Sequence, residues 1–212
     1  MTSSGTDIVE LDRIAVLEAL RLVERAKDGD WGRDTPCAGW DLRRLVAHMS
    51  AQHFGFAAAA RGAGHDTAHW REPVDSDDPA RVHQAAATAV LDAFAEPGVT
   101  EREFTLPELG GSFPGRQAVR FHLVDYVVHA WDVAAALKVD LELPEDVLRA
   151  ALAVARRVPA DQASRGPGNA FAPALGVPDG SDPLRETLRL LGRDPRRWHP
   201  GVAGRGEAGT SA

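Results

Sequence analysis

The stretch FHLVDYVVHAWDVAAAL, residues 121–137, is apolar on almost every side of a helix, but four polar side chains interrupt it. His122, Asp125, His129 and Asp132 follow one another at spacings of 3, 4 and 3. At about 100° per residue, they fall within roughly 80° of arc on one helix face. Such an apolar helix is usually buried, and buried His and Asp must be hydrogen-bonded, paired or metal-bound. The stripe therefore predicts a metal-binding or proton-transfer face inside a helical core.

Most of the remaining chain also has helical periodicity, with Gly, Pro and Asp marking the breaks between segments. The predicted helices span residues 8–27, 42–61, 79–95, 116–137 and 144–158, followed by a short helix at 183–191. Residues 63–78 and 101–115 are predicted to be loops, the second extended or irregular. The predicted fold class is all-α: a four-helix bundle with an additional C-terminal helix and an irregular C-terminal region. We expect one domain over residues 1–199 and a disordered tail at 200–212.

The composition excludes several classes of protein. The chain has 212 residues, a formal net charge of −7 and one cysteine, Cys37. A basic patch with interleaved aromatic residues, as in nucleic-acid-binding proteins, is absent from the sequence. The longest apolar runs fall short of the roughly 20 residues that span a bilayer, and the N-terminal segment does not resemble a secretory signal. We therefore expect a cytoplasmic protein with no nucleic-acid or membrane partner and no internal disulfide.

A histidine in the second predicted helix can complete a metal site. If this helix packs beside the fourth, His48 can join Asp125 and His129 as ligands of one ion. Three protein ligands leave positions open for water or substrate, which is typical of catalytic metal sites. Nitrogen and oxygen donors suit Zn²⁺, Ni²⁺ or Fe²⁺. Asp132 is expected to hold a ligand histidine in its tautomer, and His122 to act as a fourth ligand or a base.

The residues alone leave two alternatives to a metal site: a structural polar network, or an acid/base pair that works without metal. The cysteine is not expected to act as a metal ligand or as the nucleophile. Cys37 precedes the second helix, and the rise from Asp41 to His48 alone is roughly 10 Å. We therefore predict a structural role for Cys37 rather than a role as ligand or nucleophile.

Three segments resemble a known family. They are TPCAGWDLRRLVAHM at 35–49, the quoted stretch at 121–137, and DPLRETLRLLGRDP at 182–195. Together they resemble the mycothiol-dependent maleylpyruvate isomerase-like proteins of actinobacteria, in the DinB/YfiT-like metalloprotein superfamily. The resemblance spans roughly residues 8–198. It implies a DinB-like four-helix bundle with a central divalent metal, and its ligands fall on His48, Asp125 and His129. Many relatives carry Glu or His where this chain has Asp125.

The resemblance also implies a chemistry. Zinc is the metal expected first, with nickel or iron as alternatives, and mycothiol is the expected co-substrate. The predicted protein is a transferase or isomerase that activates a low-molecular-weight thiol against a small electrophile, with His122 and Asp132 as catalytic residues. Maleylpyruvate itself is not expected as substrate. The isomerase has a further C-terminal domain that contributes an arginine, whereas this sequence shows only a short, irregular region after its fifth predicted helix.

Three other functions remain as alternatives: a non-catalytic metal-binding stress or regulatory bundle, a metal-dependent hydrolase, and a disfavoured oxygen-using Fe²⁺ enzyme. The oligomeric state is left open, with a homodimer as one option.

Overall fold

The protein is mostly helical, and this confirms the all-α class. A computed structural model describes residues 7–37, 39–159, 165 and 172–198. The α-helices in these residues are α1 Ile8–Val23, α2 Leu42–Ala60, α3 Pro79–Phe94, α4 Gly115–Leu137, α5 Glu145–Ala155 and α6 Pro183–Leu190. The tail predicted at 200–212 lies outside the described residues. None of the helices described here has both the length and the apolar character needed to cross a membrane.

The first four helices form the bundle. α2 packs along α3 and α1 along α4, while further contacts join α1 to α3 and α2 to α4. α5 packs against α4 and α1, and α6, the additional C-terminal helix, packs against α5. Nearly every turn of α4 is buried, as its apolar sequence predicts. The bundle therefore brings the polar stripe of α4 into contact with neighbouring helices rather than with bulk water.

Aspartates set the starts of several helices. Asp7, Asp41 and Asp182 each accept a hydrogen bond from a backbone amide in the first turn of the helix that follows. Such N-caps satisfy amides that have no partner inside the helix. The end of α1 differs from the prediction: the helix stops at Val23 rather than at residue 27, and Asp28–Asp30 forms a separate 3₁₀ turn.

Residues 101–115 are more regular than predicted. They contain an antiparallel hairpin of β1 Glu103–Leu106 and β2 Gly111–Pro114, with Phe104 opposite Phe113. A 3₁₀ turn and Gly110, at φ 68°, connect the strands. Four-residue strands are too short for an alternating pattern to stand out in the sequence, so the hairpin was predicted only as an extended or irregular loop. The hairpin packs against α2 and α4.

The loop between α2 and α3 is anchored to α2 by a tryptophan. Thr67–Trp70 forms a 3₁₀ turn, and Trp70 donates its indole N–H to the carbonyl of Gly64 at 2.9 Å. A Cβ at Gly55 would lie 2.2 Å from the Trp70 ring, so only glycine allows this approach. The loop is thereby fixed against the face of α2 that also carries His48.

Candidate metal centre

The three predicted ligands meet between α2 and α4. Asp125 and His129 lie one turn apart on α4, with His129 Nε2 3.3 Å from Asp125 Oδ1. His48 reaches them from α2, and its ring centroid lies 5.4 Å from that of His129. One donor atom from each of the three residues lies within 4.8 Å of the other two. The structure thus brings His48, Asp125 and His129 together, while their role as ligands remains a prediction.

The second nitrogen of each histidine has a carboxylate partner. His129 Nδ1 lies 3.0 Å from Asp132 Oδ2, and His48 Nδ1 lies 3.3 Å from Glu72 Oε1. A carboxylate that accepts the Nδ1 proton leaves Nε2 with its lone pair free. Each contact therefore favours the Nδ1–H form of a neutral imidazole, in which Nε2 can bind an ion. Asp132 lies where the sequence places it, one turn beyond His129.

The site is partly open to solvent. The side chains of His48 and Asp125 are 19% and 24% exposed, while those of His129 and Asp132 are almost completely buried. Solvent therefore reaches the site from the side of His48 and Asp125. The buried side holds the hydrogen bonds that orient His129.

Cys37 lies much closer to this centre than the sequence argument placed it. The Thr35 amide donates to the Trp40 carbonyl at 3.2 Å, and the turn folds back on itself. The Cys37 thiol then donates to Asp132 Oδ2 at 3.3 Å. The sequence argument extended the turn along the axis of α2 and so placed Cys37 too far from the centre. It was wrong because the turn does not continue that axis.

An arginine from the C-terminal region completes the buried side. Arg193 follows α6, and its Nη2 donates to Asp132 Oδ2 at 3.2 Å and to Cys37 Sγ at 3.0 Å. No spacing in the sequence links Arg193 to Asp132. The C-terminal region, whose role the sequence left open, therefore contributes a side chain to the site.

Charge pairing sets the protonation of the cluster. Burial raises the pKa of Asp125, but the neighbouring His129 more than offsets this and leaves the pKa at about 2. Burial lowers the pKa of His129, and the carboxylates of Asp125 and Asp132 reverse the effect and raise it well above its usual value. Burial likewise raises the pKa of Asp132, while Arg193 and His129 lower it to a net value below the ordinary one. The carboxylates of Asp125 and Asp132 thus balance the positive charges of His129 and Arg193.

Among the described residues, two overlapping sets of side chains bring three possible ligand atoms within 4.8 Å of one another: His48, Asp125 and His129, or Cys37, His129 and Asp132. In the second set, the Arg193 guanidinium already donates to Asp132 Oδ2 and to the Cys37 sulfur, the two atoms that would have to bind the ion. The first set has two imidazoles and one carboxylate whose free donor atoms converge, which is a ligand set for Zn²⁺, Ni²⁺ or Fe²⁺. The first set therefore fits a divalent ion better.

His122, predicted as a fourth ligand or a base, is not brought to this centre. Its Nδ1 lies 2.7 Å from Asp12 Oδ1 on α1, and its Nε2 lies 3.1 Å from His53 Nδ1 on α2. All three side chains are fully buried. Both ring nitrogens of His122 are thus already engaged, and its catalytic role finds no support in these contacts.

The network around His122 continues to α3. The His53 and His83 rings lie 5.1 Å apart between centroids, and His83 Nδ1 is 3.4 Å from the hydroxyl of Ser50. Burial lowers the pKa of His83 to about 4 and that of His53 well below its usual value. These histidines are therefore neutral in the folded protein near pH 7. We call Asp12, His53, His83 and His122 the inner histidine network.

Glu72, Arg193 and the position of Cys37 are the features that sequence reasoning missed. Glu72 lies in a polar loop where charged residues are expected in any case, so nothing in the sequence marks it. The resemblance to a family with a C-terminal arginine was the one signal that pointed towards Arg193.

Comparisons with known proteins agree with the fold. The family model described as "Mycothiol maleylpyruvate isomerase N-terminal domain" matches residues 13–134, which include the three predicted ligands. Two uncharacterized proteins from Mycobacterium tuberculosis, strains CDC 1551 / Oshkosh and ATCC 25618 / H37Rv, are each 29% identical over 180 residues. In each comparison the match covers 82% of this chain and 91% of the relative.

Two solved structures share the fold. A crystal structure of the mycothiol-dependent maleylpyruvate isomerase aligns with a TM-score of 0.53 and 16% identity, over 70% of this chain and 68% of that chain. A histidine-to-alanine mutant of that enzyme aligns with a TM-score of 0.62 and 14% identity, over 89% of both chains. The DinB-like bundle predicted from the sequence is confirmed. Since the family model covers more than half of the chain, this protein belongs to the mycothiol maleylpyruvate isomerase N-terminal domain family.

Proposed function

We propose that this protein is a divalent-metal-dependent enzyme of the mycothiol-dependent isomerase or S-transferase type. An ion held by His48, Asp125 and His129 would activate a low-molecular-weight thiol for attack on a small electrophile. The observation that carries the proposal is the convergence of these three donors, with the two histidines held by carboxylates and one side open to solvent.

Each residue has a role in this scheme. Neutral His48 and His129 add no charge and Asp125 adds one negative charge, so a divalent ion in the site keeps a net positive charge. When bound there, such an ion would lower the pKa of a thiol that reaches it and would so supply a nucleophile at neutral pH. Asp132 keeps the proton on His129 Nδ1, and Arg193 fixes Asp132 in turn. Zinc is the metal we expect, with nickel or iron as alternatives.

Mycothiol enters the proposal through the family to which the chain belongs. The relatives with solved structures are described as mycothiol-dependent. Cys37 is the chain's own thiol, but its sulfur is already bound by Arg193 and Asp132 on the buried side. An external thiol approaching past His48 and Asp125 fits the exposed side better. A reducing cytoplasm suits both the thiol chemistry and the free cysteine.

Maleylpyruvate is one electrophile to assay, although the sequence predicts that it is a poor substrate. Its exclusion rested on the absence of a further C-terminal domain with an arginine. The poor turnover of maleylpyruvate stays a prediction, although Arg193 does reach Asp132 from this chain's own C-terminal region. We therefore propose a small electrophile without naming it.

Cobalt spectroscopy tests the proposal. Co²⁺-substituted protein titrated with mycothiol is expected to develop a sulfur-to-metal charge-transfer band. The Cys37→Ser variant should develop the same band, because the thiol comes from outside the chain. A metal-loaded protein whose spectrum does not change at saturating mycothiol would contradict thiol activation. That result would favour the alternatives, a metal-dependent hydrolase or a non-catalytic metal-binding bundle.

A further inference from the structure

Glu72 contacts the candidate metal centre from a loop that sequence analysis treated as solvated. Its Oε1 lies 3.3 Å from His48 Nδ1, and its Oε2 accepts from Arg44 Nε at 2.7 Å. Glu72 is only about a quarter exposed, although it lies between α2 and α3, outside the regular helices. Its two carboxylate oxygens therefore connect a predicted ligand to a neighbouring cation on the same helix.

The loop is held where this contact requires it. Trp70, two residues before Glu72, packs against Gly55 and donates to the Gly64 carbonyl. It also meets the ring of Phe56 edge-on, with centroids 5.6 Å apart. Three contacts of one side chain thus fix the backbone immediately before Glu72. The carboxylate is delivered by an anchored segment rather than by a free loop.

Arg44 is also held in place. Its guanidinium lies 5.3 Å from the centroid of the Trp40 ring, in cation–π range, and the same ring lies 4.9 Å from that of His48. Trp40, Arg44, Glu72 and His48 thereby form a closed set of contacts around one side of the imidazole. Arg44 neutralises the carboxylate and fixes its orientation, so that Oε1 points at Nδ1.

We propose that Glu72 is a positioning residue that fixes the Nδ1–H tautomer of His48 and so directs Nε2 towards the metal. The inference rests on the proposed metal site. Asp132 makes the equivalent contact with His129 from within α4, so each ligand histidine has its own carboxylate, one from the helix and one from the loop. Partners of this kind typically change metal affinity 10–100-fold when they are removed.

The first measurement concerns the metal-free protein. Nitrogen-15 NMR of the histidine rings is expected to show His48 protonated on Nδ1 in the wild type. In Glu72→Ala the Nε2–H form should become populated, because the acceptor for the Nδ1 proton is gone. In Glu72→Gln the amide oxygen still accepts, so the Nδ1–H form should largely persist. A wild-type His48 protonated on Nε2, or a tautomer unchanged in Glu72→Ala, would overturn the inference.

The second measurement is metal affinity, using Co²⁺ and Zn²⁺ alone. Glu72→Ala is expected to weaken binding about 10–100-fold, and Glu72→Gln to weaken it less. The matched control is Glu10→Ala, which removes an exposed carboxylate paired with Arg13 on α1 and should leave affinity unchanged. Equal affinities in Glu72→Ala and wild type would contradict the positioning role. A wild type that binds neither ion would instead contradict the proposed metal site, and the tautomer measurement would still decide the role of Glu72.

Discussion

The candidate metal centre and the inner histidine network both pair histidines of α2 and α4 with carboxylates, but the inner network also draws on α1 and α3, and the contacts of the two regions differ. In the metal centre, Nδ1 of each histidine lies beside a carboxylate, and Nε2 of His129 faces Asp125, another predicted ligand, at a partly open point. In the inner network, His122 gives one nitrogen to Asp12 and the other to His53, and all of these side chains are fully buried. A buried histidine is thus a candidate ligand only when a free nitrogen converges with other donors at a place that an ion can reach.

The inner network has polar atoms without partners. Within the part of the chain that the structure describes, Asp12 Oδ2, His53 Nε2 and His83 Nε2 are buried and make no hydrogen bond. Buried polar groups without partners destabilise the folded state. We therefore expect substitutions in this network to change stability, and those in the metal centre to change metal affinity.

The largest expected effect is the loss of stability when the Asp12–His122 contact is removed. Asp12→Ala should lower the free energy of unfolding by about 3 kcal/mol, because it leaves His122 Nδ1 buried without its partner. Urea denaturation measures this. Metal affinity of the folded variant should stay at the wild-type value. Glu10→Ala, two residues away on the exposed face of α1, should cost less than about 1 kcal/mol. Comparable small losses in both variants would argue against a distinct inner network.

Acid should destabilise the protein through the inner network. The pKa of His83 falls from 6.5 to about 4 in the folded state because of burial, so the unfolded state binds more protons between these values. The free energy of unfolding is therefore unaffected by His83 above about pH 6.5. As the pH falls towards 4, protonation of this residue lowers it by about 3 kcal/mol. The lowered pKa of His53 acts in the same direction.

The His83→Leu variant isolates this contribution. Unfolding free energies between pH 7 and pH 4 should decline less steeply in the variant than in the wild type. Identical slopes in the two proteins would show that His83 is not the group being protonated.

A smaller effect is expected at Asp132. Asp132→Ala should weaken Zn²⁺ binding about 10–100-fold, because His129 loses the acceptor that fixes its tautomer. The variant also leaves Arg193 without its carboxylate, so circular dichroism must first establish that it is folded at the temperature of the titration. An unchanged affinity in folded Asp132→Ala would mean that packing alone orients His129.

The smallest effect is expected at Cys37. Cys37→Ser keeps a hydroxyl between Arg193 and Asp132 and should lower the free energy of unfolding by no more than about 1.5 kcal/mol. Zn²⁺ affinity should be unchanged, since His48, Asp125 and His129 remain. Loss of metal in this variant would favour the alternative ligand set of Cys37, His129 and Asp132.

The helical periodicity of the sequence predicted most of the fold and the meeting of His48 with Asp125 and His129. It could not separate His122 from them, because a shared helix face is not a shared site. His122 and His129 are seven residues apart, which is roughly 10 Å along the helix axis. At that separation a different set of neighbours surrounds each ring, and those neighbours come from other helices.

Two further contacts depend on tertiary structure alone. Glu72 reaches His48 because Trp70 anchors an irregular loop, and Arg193 reaches Asp132 across 61 residues of sequence. Neither follows from local spacing. Cys37 is a similar case, since the direction of one turn decides whether its sulfur approaches the centre or leaves it.

The most direct measurement removes one histidine from each region and counts the metal. Elemental analysis of purified wild type is expected to give one divalent ion per subunit, and His83→Leu, from the inner network, should retain it. His129→Ala should lose most of its metal while circular dichroism shows the helical content of the wild type. A folded His129→Ala protein with full metal occupancy would contradict the assignment of the ion to His48, Asp125 and His129.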